Sequence, residues 1–195
     1  MNKTPLYKYR SLSSLGYFID IILNKRLFAA KYSDLNDPFE AFILGSNLNG
    51  NIYEQRSNAR ICSASESKYN ELMWSHYADG HRGCCIEFVP TSSKWDMVRV
   101  EYGDKLVEVT NETPINDILK HKLKPWEYEK EIRFIKQLNP KRPNSNYLKV
   151  KITKVYLGVK MNKAQKKFIT KLIKQIDDSI EIIEVKKEDL LKNRS

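Results

Sequence analysis

Within "WEYEKEIRF", Glu129, Glu131 and Arg133 recur at every second position. In an extended strand these three side chains share one face, while Lys130, Ile132 and Phe134 take the other. Ile132 and Phe134 belong in a core, so the acid–acid–base row is expected to face solvent or a cleft. Two carboxylates so spaced lie about 7 Å apart, near enough to shape each other's titration. Such a pair serves acid/base chemistry or stabilises a cationic transition state. It also fits a solvated strand face on which Glu131 simply pairs with Arg133.

A second stretch, "NELMWSHYADGHRGCCIEF" at residues 70 to 88, gathers ligand and nucleophile types. His76, His81, Cys84 and Cys85 lack the Cys-x-x-Cys or His-x-x-x-His spacing of the usual zinc sites. On a strand, moreover, Cys84 and Cys85 point to opposite faces. No metal is expected. A Cys–His dyad is disfavoured as well, because "GCCIEFV" is apolar and keeps thiols protonated. On the helix "ELMWSHYA", Leu72, Met73, His76 and Tyr77 line one side, with Trp74 beside it. Two readings stand: His76 is a core histidine satisfied by hydrogen bonds, or Trp74, His76 and Tyr77 wall a pocket for a flat ligand.

The elements that must hold these residues follow from periodicity. "PLYKYRS" reads as a first strand. Ser13 or Ser14 caps a helix through "LGYFIDIILNKR", with Leu15, Phe18, Ile19, Ile22 and Leu23 inward. "LFAAKY" is a short strand, and Asn36 and Asp37 ahead of Pro38 form a turn. Residues 44 to 58 read as a surface loop with one helical turn. "ARICSAS" is a strand, the helix around Trp74 ends at Gly80, and "GCCIEFV" is a strand stopped by Pro90. "DMVRVEY", "KLVEVT", "YEKEIRFIK", "YLKVKI", "KVYLGVK" and "IEIIEVK" supply further strands, and "INDILKHKL" is a short helix. "LNPKRPNSN" is a loop, and "NKAQKKFITKLIKQI" is a helix with Phe168, Leu172 and Ile176 on its apolar stripe. The pattern is α+β in a single domain over residues 1–195, with a mainly antiparallel sheet and short flanking helices.

With 41% hydrophobic and 11% aromatic residues, the 195-residue chain has the means to bury a core, which excludes disorder. No apolar run approaches the roughly 20 residues needed to cross a bilayer, so no membrane partner is expected. The opening "MNKTPLYKYRS" turns polar too early for a secretory signal. Three cysteines are too few for a disulfide scaffold, and reduced thiols in a cytoplasm are the expectation. The net charge of +10 is concentrated, since no Asp or Glu occurs between Lys136 and Lys174. That stretch is either a solvated lysine face or a surface for nucleic acid, as in a nucleic-acid-binding or nuclease-like protein. No acidic cluster resembles a two-metal nuclease. A non-catalytic module that binds a protein through its aromatic patch is a further alternative.

The blocks "LYKYRSL", "LFAAKYSDLNDPFE", "CSASE", "LMWSHYADGHRGCCIEF", "VEYGDKL", "WEYEKEIRF" and "VYLGVKM" resemble, in this order, a bacterial family designated domain of unknown function 2971. The resemblance covers essentially the whole chain. Members are bacterial and phage-associated, some beside defence genes, which implies a role in phage defence or a toxin system. The layout is also similar, more remotely, to ADP-ribosyltransferases, whose antiparallel sheet is split. That resemblance implies NAD as substrate, no metal, and either ADP-ribose transfer or NAD hydrolysis. It gives Glu131 the ribose and its oxocarbenium ion, Glu129 the activation of an acceptor, and Arg10, with Tyr9 beside it, the dinucleotide phosphates. Trp74, His76 and Tyr77 would flank the nucleotide. The sequence departs from that family at "LFAAKYS", which has alanines where a hydroxyl is usual, and Ser63 and Ser65 come on a later strand.

Overall fold

In the computed structural model, residues 4–37, 48–106, 108–139 and 146–191 are described. Along the chain run β1 (Leu6–Arg10), α1 (Leu15–Asn24), β2 (Arg26–Phe28), α2 (Gly50–Asn58), β3 (Ala59–Ser65), α3 (Glu71–Tyr77) and β4 (Cys84–Pro90). Then come β5 (Asp96–Arg99), β6 (Glu101–Gly103), α4 (Ile115–Leu119), β7 (His121–Leu123) and β8 (Glu131–Gln137). β9 (Tyr147–Leu157), α5 (Lys163–Ile176), β10 (Glu181–Glu184) and α6 (Lys187–Leu191) follow. Short 3-10 segments cover Tyr32–Asp34 and Lys124–Glu129. The fold is α+β with mainly antiparallel strand pairing and several short helices, as the hydrophobic pattern predicts. Contacts gather the chain into two compact units. One comprises Met1–Leu27, Ala64–Ser92 and Lys149–Ser195; the other comprises Phe28–Ser63 and Ser93–Leu148. No helix among the described residues is long and apolar enough to cross a membrane.

In the first unit the strand order is β10, β9, β4, β1, β3, with β10 parallel to β9 and the other pairs antiparallel. The register sets Tyr7 opposite both Glu87 and Ser65, and Cys85 opposite both Tyr9 and Tyr156. Residues facing each other across antiparallel strands share a face. Tyr7, Tyr9, Cys85, Glu87 and Tyr156 therefore stand together, and Leu6, Ile86 and Phe88 occupy the other side. Cys84 and Cys85 are both buried and free, on opposite faces as alternation requires. Burial pushes the Cys84 thiol up to about 12, partly opposed by Arg10, and burial with help from Cys84 and Glu87 pushes Cys85 far up.

The helices of this unit turn inward along slightly different stripes from those expected. α1 buries Phe18, Ile21 and Ile22, and Leu23 lies exposed. Ser14 occupies its N-cap position without a side-chain capping bond. α5 buries Ile169 and Ile173 and leaves Phe168 exposed, a stripe advanced by one residue. Its start is fixed by a capping box in which Asn162 Oδ1 accepts from Gln165 N at 2.8 Å. α3 stops at Tyr77 rather than Gly80, because Asp79, Gly80 and His81 all take left-handed backbone. This turn brings two strands of chain to van der Waals contact. Gly158 N donates to Gly83 O at 3.0 Å, and Lys160 N donates to His81 O at 3.0 Å. A Cβ on Gly158 would fall 2.2 Å from His81 O, and one on Gly83 would fall 2.2 Å from Arg10 O.

The second unit sets β8 between β3 and β5, beside a separate parallel pair, β6 and β7. Its core joins Ile52, Ala59, Ile61, Val109, Ile115, Ile118, Leu119 and Ile135. Residues 50–58, expected as loop, form α2 and contribute Ile52. "DMVRVEY" is two strands, because Val100 leaves the ladder to donate its N–H to Glu131 O at 3.0 Å. No strand forms over the described residues of 105–110. Pro38, Lys141, Arg142 and most of the "LNPKRPNSN" loop lie outside the described residues.

Two outcomes are expected of the first unit. Gly158→Ala places a methyl group into fixed backbone and should destabilise by about 3 kcal/mol, lowering the thermal midpoint by roughly 10 °C. Calorimetry checks this. Lys25, in left-handed backbone at the end of α1, pairs with Asp177 at 2.6 Å. The Lys25 bond, with help from Ser179, holds the Asp177 carboxyl down to about 2 against its ordinary 3.8. A depressed carboxylate contributes stability above its unfolded value and loses it as the pH falls through the folded one. In Lys25→Asn, which keeps a residue tolerant of left-handed backbone, the loss of stability between pH 3.8 and 2 should shrink. Carboxyl NMR titration of Asp177 should move part of the way back toward 3.8.

Candidate functional site

The acid–acid–base row of "EYEKEIR" is not a solvent-facing strand edge. Pro125 opens the 3-10 segment Lys124–Glu129, and Lys130 follows in left-handed backbone with φ 44°. The strand therefore begins only at Glu131. Glu129, Glu131 and Arg133 are all buried, Arg133 with no exposure at all. What replaces water is mutual pairing. Arg133 Nε and Nη2 fork onto Glu131 Oε1 and Oε2 at 2.9 and 3.0 Å, and Nη1 donates to Leu119 O. Lys122, central in β7 and itself buried, donates to Glu129 Oε2 at 2.7 Å and to Glu131 Oε2 at 3.4 Å. The Trp126 ring covers that ammonium at 4.6 Å.

The electrostatics agree with the geometry. Burial works to lower Lys122, but Glu131 and Glu129 outweigh it and hold the amine above its ordinary value. Burial draws Arg133 down to about 9, with buried Asp37 opposing. The guanidinium is thus still a cation at neutral pH. Tyr102 accepts the Glu131 N–H at 2.8 Å. Burial, reinforced by the two carboxylates, pushes its phenol up. The arrangement is a pair of carboxyl groups focused on one ammonium in a region of low dielectric. Its chemical aptitude is for a positive charge at that point. Among the described residues, no three His, Cys, Asp or Glu side chains gather as metal ligands.

The remaining predicted residues belong to the first unit, and Glu129 and Glu131 to the second. Arg10 ends β1, half-buried, with its Cα opposite Cys84. Tyr9 is buried, donates its hydroxyl to Ser67 O at 2.8 Å, and meets Trp74 edge-on at 5.3 Å. Trp74, expected on a pocket wall, has no exposure and donates Nε1 to Lys68 O at 2.9 Å. Neither ring presents a face to solvent. His76 is exposed and Tyr77 half-buried, their rings 6.3 Å apart. The structure thus joins Tyr9 to Trp74, His76 to Tyr77, and Glu129 to Glu131.

Sequence reasoning passed over Lys122, Tyr102 and Glu87. Glu87 is buried, held by Thr153 Oγ1 at 2.8 Å and Tyr156 Oη at 2.9 Å. Its signal was present as one carboxylate inside an apolar strand, on the same alternation as Cys85. The lysine-rich stretch is partly answered by its own unit. Lys166 pairs with Glu184 at 2.7 Å and Lys154 with Glu181 at 3.1 Å, while Lys174 caps the carbonyls of Asp178 and Ile180. Comparison with family models, curated proteins and solved structures yields no match to this chain.

Removing one side of the buried lattice should be costly. Arg133→Met removes the fork from the buried Glu131 and is expected to destabilise by about 3–5 kcal/mol. Arg133→Lys keeps the charge but not the fork, and should fall between Met and wild type. Urea unfolding of the three proteins tests the order.

Proposed function

We propose that this chain is an NAD-cleaving enzyme of the ADP-ribosyltransferase kind, belonging to the bacterial domain-of-unknown-function 2971 family. The observation that carries the reading is the convergence of Glu129 and Glu131 on a single ammonium, that of Lys122. A locus that stabilises a resident cation between two buried carboxylates suits a ribosyl oxocarbenium ion. In the reaction, the bond from ribose C1′ to the nicotinamide nitrogen breaks and its electron pair leaves with nicotinamide. The cation left on the ribose takes the position that Lys122 now holds, facing Glu131. Water or an acceptor hydroxyl then attacks C1′, and Glu129 receives its proton.

The chain's own residues prepare this step. The Arg133 fork fixes the Glu131 carboxylate plane, and Tyr102 fixes the backbone N–H beside it. A carboxylate oriented before substrate arrives needs no reorganisation when charge develops. The phosphate-pairing role of Arg10 rests on the resemblance alone.

The test is release of nicotinamide from NAD, followed by liquid chromatography and mass spectrometry. Wild type should release it, and Glu131→Gln should be slower by about 10²-fold or more. A folded wild-type protein that leaves NAD intact over a long incubation overturns the reading. Circular dichroism melts of Glu131→Gln separate lost chemistry from lost structure.

A further inference from the structure

On the first unit's sheet face, three tyrosines surround a lysine. Lys68 Nζ stands 5.2 Å from the ring centre of Tyr69, 5.4 Å from that of Tyr156 and 5.9 Å from that of Tyr7. The rings meet edge to face, Tyr7 with Tyr156 at 6.3 Å and Tyr69 with Tyr156 at 6.0 Å. Glu87 lies beneath them, its carboxylate taken by the hydroxyls of Thr153 and Tyr156. Among the described residues the Lys68 ammonium makes no ion pair, and its one hydrogen bond is a 3.4 Å contact to Tyr156 Oη. We propose that Tyr7, Tyr69, Tyr156 and Glu87 form a recognition site for a methylated organic ammonium group, and that Lys68 fills it as a displaceable plug.

The chemistry of the cage favours such a ligand over its present occupant. A lysine ammonium is a compact, strongly hydrated charge that seeks water or carboxylate oxygen. Ring faces instead suit weakly hydrated cations whose methyl groups pack on them. The Lys68 distances lie near the outer limit of about 6 Å for such attraction, so the resident contact is weak. The Glu87 carboxyl group, bonded by hydroxyl donors, lies on the same sheet face as the rings. It also acts on the rings: burial first, then Glu87, pushes Tyr7 up to about 12. Both phenols facing Glu87 are thereby kept neutral, as a cation site requires.

The plug can leave without disturbing the loop that carries it. The Ser67 and Lys68 carbonyls are pinned by Tyr9 Oη and Trp74 Nε1. The backbone is therefore anchored in the core, while the four-carbon side chain above it is only half-buried. Tyr69 is half-buried as well, whereas Tyr7 and Tyr156 are covered. Withdrawal of the Lys68 stem opens the side of the cage that already reaches solvent. A tethered competitor acts at an effective concentration on the order of millimolar, so external cations bind wild type weakly.

The probe is tetramethylammonium, titrated into wild type and Lys68→Ala with sodium chloride at equal ionic strength as control. Binding is read from the NMR shifts of the tyrosine rings. Lys68→Ala should bind the probe at least about tenfold more tightly than wild type, the competitor having been removed. Adding Tyr69→Ala, a half-buried ring whose loss leaves the core intact, should abolish that gain. A Lys68→Ala protein with the wild-type melting curve and no tighter binding overturns the proposal. Should Lys68→Ala not fold, wild type alone decides. A saturable shift of the Tyr69 and Tyr156 rings beyond the sodium control supports the site, and its absence overturns it. The experiment involves neither NAD nor Glu131, so it stands or falls apart from the enzymatic reading.

Discussion

A guanidinium shut off from water persists only where oxygen atoms answer its donors, and Arg133 imposes that condition on the second unit. Its fork requires Glu131 on the same strand two residues back, and its remaining edge requires the Leu119 carbonyl at the end of α4. Glu131, once buried, carries Lys122 with it, and Lys122 in turn claims Glu129. The ends of α4, β7 and β8 and the 3-10 segment between them are thereby fixed to one another by charge. Apolar packing alone tolerates slippage; a bidentate pair does not. The hydrophobic cluster around Ile61 and Leu119 supplies the driving force, and the ion lattice selects the register.

The same condition explains where the sequence was legible. Periodicity located most of the strands and helices, because their apolar residues recur at the spacing that burial demands. It misjudged the face of Glu129, Glu131 and Arg133, since alternation sorts residues by type and cannot see that partners cancel. Pairing of Glu131 with Arg133 was legible from their spacing; its burial was not. The start of β8 was also hidden. Left-handed backbone is usually announced by glycine or asparagine, and here a lysine adopts it. In α5 the stripe was displaced by a residue, because Phe168 is apolar yet outward. In α1, Phe18 and Ile22 are buried as expected and only Leu23 turns out. The choice among adjacent apolar positions belongs to tertiary packing. Trp74 was legible as an aromatic on a helix face and Tyr9 as a strand residue, but their meeting was not. Their use as anchors for the Ser67 and Lys68 carbonyls depends on a loop whose path no local pattern specifies.

Two buried carboxylates show two distinct solutions to one problem. Glu131 is met by cations, so its negative potential is largely spent within the lattice. Glu87 is met by hydroxyls of Thr153 and Tyr156, which satisfy its lone pairs, with Lys154 opposite it across the ladder. Tyrosine makes this possible on a sheet face, for its ring packs like an apolar residue while its hydroxyl reaches the acid. The register that sets Tyr7 against Glu87, and Cys85 against Tyr156, delivers those rings to the same place.

In each unit a lysine ammonium stands over an aromatic ring, and the surroundings decide how readily it leaves. Lys122 is enclosed, with only 2% of its side chain exposed, and its departure breaks contacts to two carboxylates at 2.7 and 3.4 Å. Its departure would leave two buried carboxylates to be answered by another positive charge. Among the described residues Lys68 breaks no ion pair on leaving, and it exchanges ring faces for water, the environment its ammonium prefers. The enclosed lysine is thus held by two carboxylates, and the half-buried one chiefly by ring faces. The number of acid oxygens held by each lysine, more than its depth in the core, separates the two behaviours.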